Sequence, residues 1–251
     1  MHAPEITVAP APLDAILPFR EAYRREVACQ IIKDAWHRRG FTTPWLLQLD
    51  GAVAGYGATG GGPGEPHDTL MEFYLVPEAR GEGRRLFEAL LAASHPAWIE
   101  AQTNDPFLHL RVYDAGREWT APTILFADQH TTHHPAPGVT LRRLTEADRA
   151  GAFPHTTEPV GEWGLDREGR IVATGGLFYH YNPPYGDLYM EVDPAFRGRG
   201  YATWLLQELK RICREGDHVP AARCDAGNAA SRRALERAGM WPCGRVLRSR
   251  I

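Results

Sequence analysis

Cysteine is scarce in this chain. The four residues, Cys29, Cys213, Cys224 and Cys243, form no CxxC pair and show no metal-ligand spacing. That excludes a disulfide scaffold, and reduced thiols in a cytoplasmic protein are the expectation. The opening MHAPEITVAPAP lacks a basic stretch followed by an apolar one, and no run reaches membrane-spanning length. Neither a secretory signal nor a membrane partner is therefore expected. An excess of one charge is also missing: 28 Lys and Arg stand against 31 Asp and Glu, and neither half is strongly basic. A nucleic-acid surface is excluded on that ground.

What the chain does contain is itself, twice. The first half has LDGAVAGYGATG, then TLMEFYLVPEARGEGRRLFEALLAA, then WIEAQTNDPFLHLRVYDAG. The second has LDREGRIVATGGLFYH, then DLYMEVDPAFRGRGYATWLLQEL, then AARCDAGNAASRRALERAGM. Each series reads as a strand pair, a strand ending in Pro and an Arg-Gly turn into a helix, and a strand ending near Asn before a second helix. Arg80 matches Arg197 at a shift of 117 residues, and Asn104 matches Asn228 at a shift of 124. A tandem duplication accounts for three matches in one order. The stretch HTTHHPAPG is polar, Pro-rich and aperiodic, as linkers are. The expected division is therefore 1–130, a linker over 131–138, and 139–251.

In the second half the patterns predict strands near 139–143, 161–166, 170–180, 186–193 and 219–225, helices near 200–214 and 228–238, and a last strand in WPCGRVLRSRI. Ala202, Leu205, Leu206, Leu209 and Cys213 recur as one apolar helix stripe. The fold class is mixed α/β.

The turn between strand and helix, Arg-Gly-Arg-Gly at 197–200, invites a chemical reading. A helix N-terminus carries free N–H groups and a partial positive charge, which suits an anion. Gly198 and Gly200 allow close backbone approach, and Arg197 and Arg199 add formal charge. It is neither a Walker loop nor a dinucleotide fingerprint. The plain alternative is a strand–helix turn with solvated arginines.

An Arg197-x-x-Gly200-x-Ala202 turn after a strand ending V-x-P resembles the Gcn5-related N-acetyltransferase (GNAT) superfamily. The run CDAGNAASRRALERAGM is similar to that family's second signature. The resemblance covers 139–251 almost end to end and the first half in layout only. It implies two tandem GNAT-like domains, each a mostly antiparallel, twisted sheet flanked by helices. It implies acetyl-CoA as co-substrate, with Arg197, Gly198, Arg199, Gly200, Tyr201, Ala202 and Thr203 around its pyrophosphate. It further implies Asn228 and Ser231 beside the pantetheine arm, and the Val192 N–H as donor to the thioester oxygen. Asn228 also reads simply as a helix cap.

The reaction implied is acyl transfer to an amine. An alkyl amine of pKa near 10 is only about one part in a thousand neutral at pH 7, so a base is needed. Glu191, on the strand before the turn, is the candidate base, with Asp187 second; the alternative is an exposed carboxylate at a strand end. Many relatives place a Tyr acid seven residues after the Asn, where this chain has Leu235. Tyr189 is the candidate from the same strand face as Glu191. Tyr179, Tyr181, Tyr185 and Tyr201 remain as other possible donors. Cys224 lacks a His partner and reads as a structural thiol. His130, His133 and His134 lack a metal pattern, so no metal is expected.

In the first half, Glu82 and Arg85 replace the residues facing the phosphates, which predicts a degenerate copy without coenzyme A. That half has two helices between its first two strands. The second has only RAGAFPHTTEPVG there, which predicts an acceptor side walled by the first half. The function expected is N-acetylation of a small-molecule primary amine in a ternary complex, by a monomer or homodimer. The alternatives are acetylation of a protein amino group and a non-catalytic acyl-CoA-binding module.

Overall fold

The computed structural model describes every residue except 1–3, 28, 29, 32 and 180–182, so Cys29 and Tyr181 lie outside the described residues. The chain forms two compact units, Met1–Pro122 with Arg245–Ile251, and Thr123–Gly244. Each is a mixed, mostly antiparallel sheet with helices.

In the first unit, strands β1 (Ile6–Pro10), β2 (Thr42–Leu49), β3 (Ala52–Gly60) and β4 (Thr69–Leu75) pair antiparallel in sequence order. β5 (Trp98–Gln102) then runs parallel to β4, pairing only at Thr69↔Trp98 and Leu70↔Ile99. Helices α1 (Leu13–Glu26) and α2 (Asp34–Arg38) lie between β1 and β2 in sequence. Helix α3 (Gly83–Ser94) follows β4, and α4 (Pro106–Ala115) follows β5. Ile16, Leu47, Leu70, Leu86, Leu90 and Leu108 are fully buried in this unit's core. Each contributes about 1.5–3 kcal/mol by leaving water.

The second unit repeats the pattern. β7 (Thr140–Arg143), β8 (Trp163–Arg167), β9 (Arg170–Phe178) and β10 (Tyr185–Val192) are antiparallel neighbours. β11 (Val219–Asp225) is parallel to β10 over three residues, Tyr185↔Val219 to Asp187↔Ala221. Here only one short helix, α5 (Glu146–Ala150), stands between the first two strands. A Thr145–Asp148 capping box starts it, and a long loop follows. Helices α6 (Tyr201–Glu215) and α7 (Ala229–Arg237) complete the unit.

Two elements depart from the expected division at 1–130, 131–138 and 139–251. In β6 (Trp119–Asp128), Thr123–Ala127 pair with β11 in the second unit. In β12 (Met240–Arg250), Val246–Arg250 pair with β5 in the first unit. Each unit's sheet is thus completed by a segment from beyond the sequence boundary. Strand pairing between distant segments leaves no local signature, so composition alone draws the line elsewhere. The linker is also tied down: Gln207 of α6 accepts from Thr132 Oγ1 (2.8 Å) and the His134 N–H (2.7 Å) and donates to the His134 carbonyl.

The apolar stripe of α6 buries Leu205, Leu206, Leu209 and Cys213 as patterned, but Ala202 is only half-buried. Lys210 is buried beside them. Its ammonium donates to the His130 and Ala238 carbonyls (2.8 and 2.6 Å) and pairs with Asp128 (2.8 Å), which satisfies the three donors. No helix among the described residues is long and apolar enough to cross a membrane.

Candidate acyl-transfer site

The site begins where β10 and β11 part. They pair only as far as Asp187 and Ala221, after which β11 follows β6 instead. β10 continues along β9 as far as Val192↔Ala173. The Asp193 N–H donates to Val172 on the β9 side (3.0 Å). Strand N–H groups alternate, so that of Val192 faces the opposite edge, toward the gap β11 has left.

The turn follows at once. Asp193 caps the one-turn helix Pro194–Phe196 by accepting from the Ala195 N–H (2.9 Å), and Arg170 pairs with its other oxygen (2.7 Å). Burial acts to raise the Asp193 pKa, but the Ala195 N–H and Arg170 outweigh it and hold it below the ordinary range. Arg197 is anchored by Nε to the Val192 carbonyl (3.2 Å), leaving its head exposed. Gly198 (φ +79°) and Gly200 (φ +83°) both adopt the left-handed conformation that glycine tolerates. Gly200 then caps α6. A Cβ at Gly198 would meet nothing within 4 Å, and one at Gly200 only the Pro135 carbonyl at 4.0 Å. The glycines are thus required by conformation, and open space lies before them. Arg199, Arg170 and Arg167 surround the Phe196 ring at 5.2, 4.8 and 5.7 Å. Backbone N–H groups, a helix N-terminus and guanidinium groups thus face one open space, a combination that suits an anionic ligand. Among the turn's other expected residues, Tyr201 and Thr203 have buried side chains, so only their backbone N–H groups are available to a ligand.

Asn228 caps α7, its side chain accepting from the Ser231 N–H (3.0 Å), and remains exposed. Leu235 packs in the core, so its position supplies structure and no proton. Cys224 is buried in the core of the second unit.

The carboxylates are arranged differently from expectation. Glu191 is buried, not an exposed strand end. It accepts from the N–H groups of Thr156, Thr157 and Glu158 and from Thr156 Oγ1, at 2.9–3.3 Å. Burial acts to raise its pKa, yet these hydrogen bonds prevail and set it below the ordinary value. Tyr189 lies across Gly176 of β9 and stacks on Phe178 (4.2 Å). Burial raises its pKa first of all, with Glu162 and Glu158 adding to the effect. Tyr179 is exposed and Tyr185 half-buried.

Sequence reasoning missed the loop that meets Glu191. Glu158 is half-buried, and its carboxyl group feels Asp187 and Glu191 on β10 and Arg223 on β11. Burial, then Asp187, raises its pKa; Arg223 opposes and Glu191 adds to the rise. The run HTTEPVG is aperiodic, so only the fold brings it to β10.

The first unit matches the second at Arg80, whose Nε also donates to the carbonyl five residues before it, Leu75 (3.2 Å). The rest of its turn differs. Pro77–Glu82 is a 3-10 helix leading straight into α3, with neither Gly81 nor Gly83 left-handed. Arg80 is paired with Glu26 (2.6 Å), and Glu82 with Arg85 (2.7 Å). A cavity of about 460 Å³ lies between β4, this turn and α4. Its two guanidinium groups, Arg80 and Arg111, are already paired with Glu26 and Asp114. On β4, Glu72 is buried with Arg20, accepts from the Lys33 N–H (3.3 Å) and is bonded to His37 Nε2 (2.9 Å). Burial acts to raise its pKa, but Arg20 and then His37 bring it to about 2.

Residues 120–240 match the family model described as "Acetyltransferase (GNAT) family", so that stretch is a GNAT acetyltransferase domain. A GNAT-family acetyltransferase from Colwellia psychrerythraea superposes with a TM-score of 0.77 at 15% identity, covering 98% of this chain and 99% of that one. A tandem GNAT protein from the clavulanic acid biosynthesis pathway gives 0.63 at 13%, covering 97% of each. A GCN5-related N-acetyltransferase from Sphaerobacter thermophilus gives 0.55 at 20%, covering 98% and 95%. No curated protein matches by sequence. The fold is thus that of tandem GNAT proteins, and the matched domain is an acyltransferase domain.

Proposed function

We propose that the second unit transfers an acetyl group from acetyl-CoA to the primary amine of a small molecule, directly and in a ternary complex. The observation that carries the reading is the left-handed Gly198–Gly200 turn standing directly beside the parting of β10 and β11. Acetyl-CoA supplies an activated acyl carbon. The turn and the N-terminus of α6 hold its phosphates, and the Val192 N–H faces the gap where charge develops on the thioester oxygen. A carboxylate at the gap removes the ammonium proton before attack. The first unit's turn has no left-handed glycine and its cations are paired, which supports a copy that does not bind coenzyme A.

Calorimetric titration with acetyl-CoA tests this. One site per chain is expected, abolished in Arg197→Ala combined with Gly200→Trp. No binding at millimolar ligand overturns the reading, and two sites overturn the assignment to one unit. Leu235 favours one other reading, a non-catalytic acyl-CoA-binding module. It would show binding without release of free thiol in the presence of any amine.

A further inference from the structure

The proposed transfer needs a base, and three carboxylates are candidates. Asp187, the last β10 residue paired with β11, is buried and faces the Arg223 guanidinium (3.8 Å), which favours its charged form; Glu191 and Glu158 remain. Glu191 has both oxygens engaged: Thr156 Oγ1 and the N–H groups of three successive residues converge on it. Such a carboxylate is stabilised in its charged form and is a poor proton acceptor. What the four donors accomplish is to pin residues 156–158 against the strand. The last of these is Glu158, whose neighbours are Asp187, Tyr189 and Glu191 on β10 and Arg223 on β11. Its backbone N–H is bonded to Glu191 (3.1 Å), and its half-buried carboxyl group feels charges on both parting strands.

Resting on the transfer reading above, we infer that Glu158 is the general base and that Glu191 is a positioning residue which clamps the Glu158 loop over the strand gap. The amine nitrogen bonds to the acyl carbon, and the C–S bond breaks with its electron pair on sulfur. Of the two protons the ammonium group sheds, one passes to the Glu158 carboxylate and on to solvent, and the other to the thiolate. The like charges of Asp187 and Glu191, with burial, make Glu158 more basic than an ordinary glutamate, while Arg223 restrains the rise.

The test follows free-thiol release with acetyl-CoA and a panel of aminosugars, polyamines, arylethylamines and amino-acid amides, from pH 5 to 9, with calorimetric acetyl-CoA affinity in parallel. Wild type should show an acid limb in kcat/KM centred above about 4.3, the ordinary glutamate value. Glu158→Gln should lower kcat/KM by about 10²–10⁴ and abolish the limb, with acetyl-CoA affinity unchanged. Glu158→Asp should keep the limb at reduced rate. Glu191→Gln should keep the limb but move it to lower pH, because one like charge and the clamp are both lost. A limb that survives in Glu158→Gln, or that disappears in Glu191→Gln instead, overturns the assignment and leaves the transfer reading intact. Wild type that binds no acetyl-CoA, or acetylates none of the panel, overturns the transfer reading and this base with it.

Discussion

The glycines of the two strand–helix turns give a matched test of the proposal that the second unit holds acetyl-CoA. Gly198 and Gly200 sit at φ +79° and +83°, whereas Gly81 and Gly83 in the first unit are not left-handed. A side chain in the left-handed region costs about 1–2 kcal/mol per residue. Gly198→Ala with Gly200→Ala therefore disfavours the observed turn by about 2–4 kcal/mol. No protein atom lies closer than 4.0 Å to either new Cβ, so sterics within the chain add nothing. Both residues are exposed, and the free turn can relax. The cost should then appear in binding more than in folding. At 1.4 kcal/mol per tenfold, acetyl-CoA should bind about 30-fold to several hundred-fold more weakly, with little change in Tm. Gly81→Ala, with nothing within 4 Å of its new Cβ and no left-handed backbone, should leave both unchanged. Calorimetry and thermal denaturation on the three proteins decide it. An affinity within about threefold of wild type in the double variant, or an equal loss in Gly81→Ala, refutes the reasoning.

Two further predictions concern the first unit's buried charges. Glu72→Gln leaves the buried Arg20 with Asp34 alone and should cost about 3–5 kcal/mol in urea denaturation at pH 7. Glu72 is lowered from 4.5 to about 2 in the fold, so its stabilisation is present above about 4.5 and lost as pH falls through 2; the variant's deficit should shrink over that range. Asp105 caps α4 and accepts from the Tyr23 hydroxyl (2.7 Å), and burial, opposed by that bond, pushes it from 3.8 up to about 6. A raised carboxyl stabilises fully below about pH 4 and loses this as pH rises through 6, about 3 kcal/mol for two pKa units. Asp105→Asn keeps a cap and should flatten that loss, raising Tm relative to wild type at pH 8 but not at pH 4. Parallel pH profiles would contradict it.

What the sequence disclosed was local. The Arg-Gly turn was legible because glycine spacing, a preceding strand and a following helix all lie in one continuous stretch, Tyr185–Glu215. The Leu205–Leu209–Cys213 stripe was legible because helical period encodes burial. Lys210 was not, since a buried ammonium needs the His130 and Ala238 carbonyls and Asp128, all brought from elsewhere. The exchange of Thr123–Ala127 and Val246–Arg250 between units was hidden because pairing partners lie more than ninety residues from their mates. Glu191 was placed on the correct strand, but its burial depends on a loop whose composition resembles any other loop.

That loop explains how one fold serves two ends. In each unit the segment between the first two strands reaches over the central strand that precedes the turn. In the first unit it delivers Arg20 from α1 and His37 from α2 onto Glu72, with Asp34 bound to Arg20. The carboxylate is neutralised, and the helices are fastened to the sheet. In the second unit the segment is a five-residue helix and a loop. It delivers donors to Glu191 from its backbone and one hydroxyl, and it adds a further carboxyl group, Glu158, where the first unit brings the Arg20 guanidinium. Backbone donors hold a carboxylate without supplying a formal countercharge. Glu158 is therefore left to feel two negative neighbours and a single guanidinium. A guanidinium over the central strand fastens a structural core, and on the proposed function a carboxylate there takes up a proton. The two units then differ in the sign of what one connecting segment carries. On this argument, placing a cation at 158 by Glu158→Lys should abolish transfer while leaving acetyl-CoA affinity in place, because the phosphate-binding turn lies on a different element.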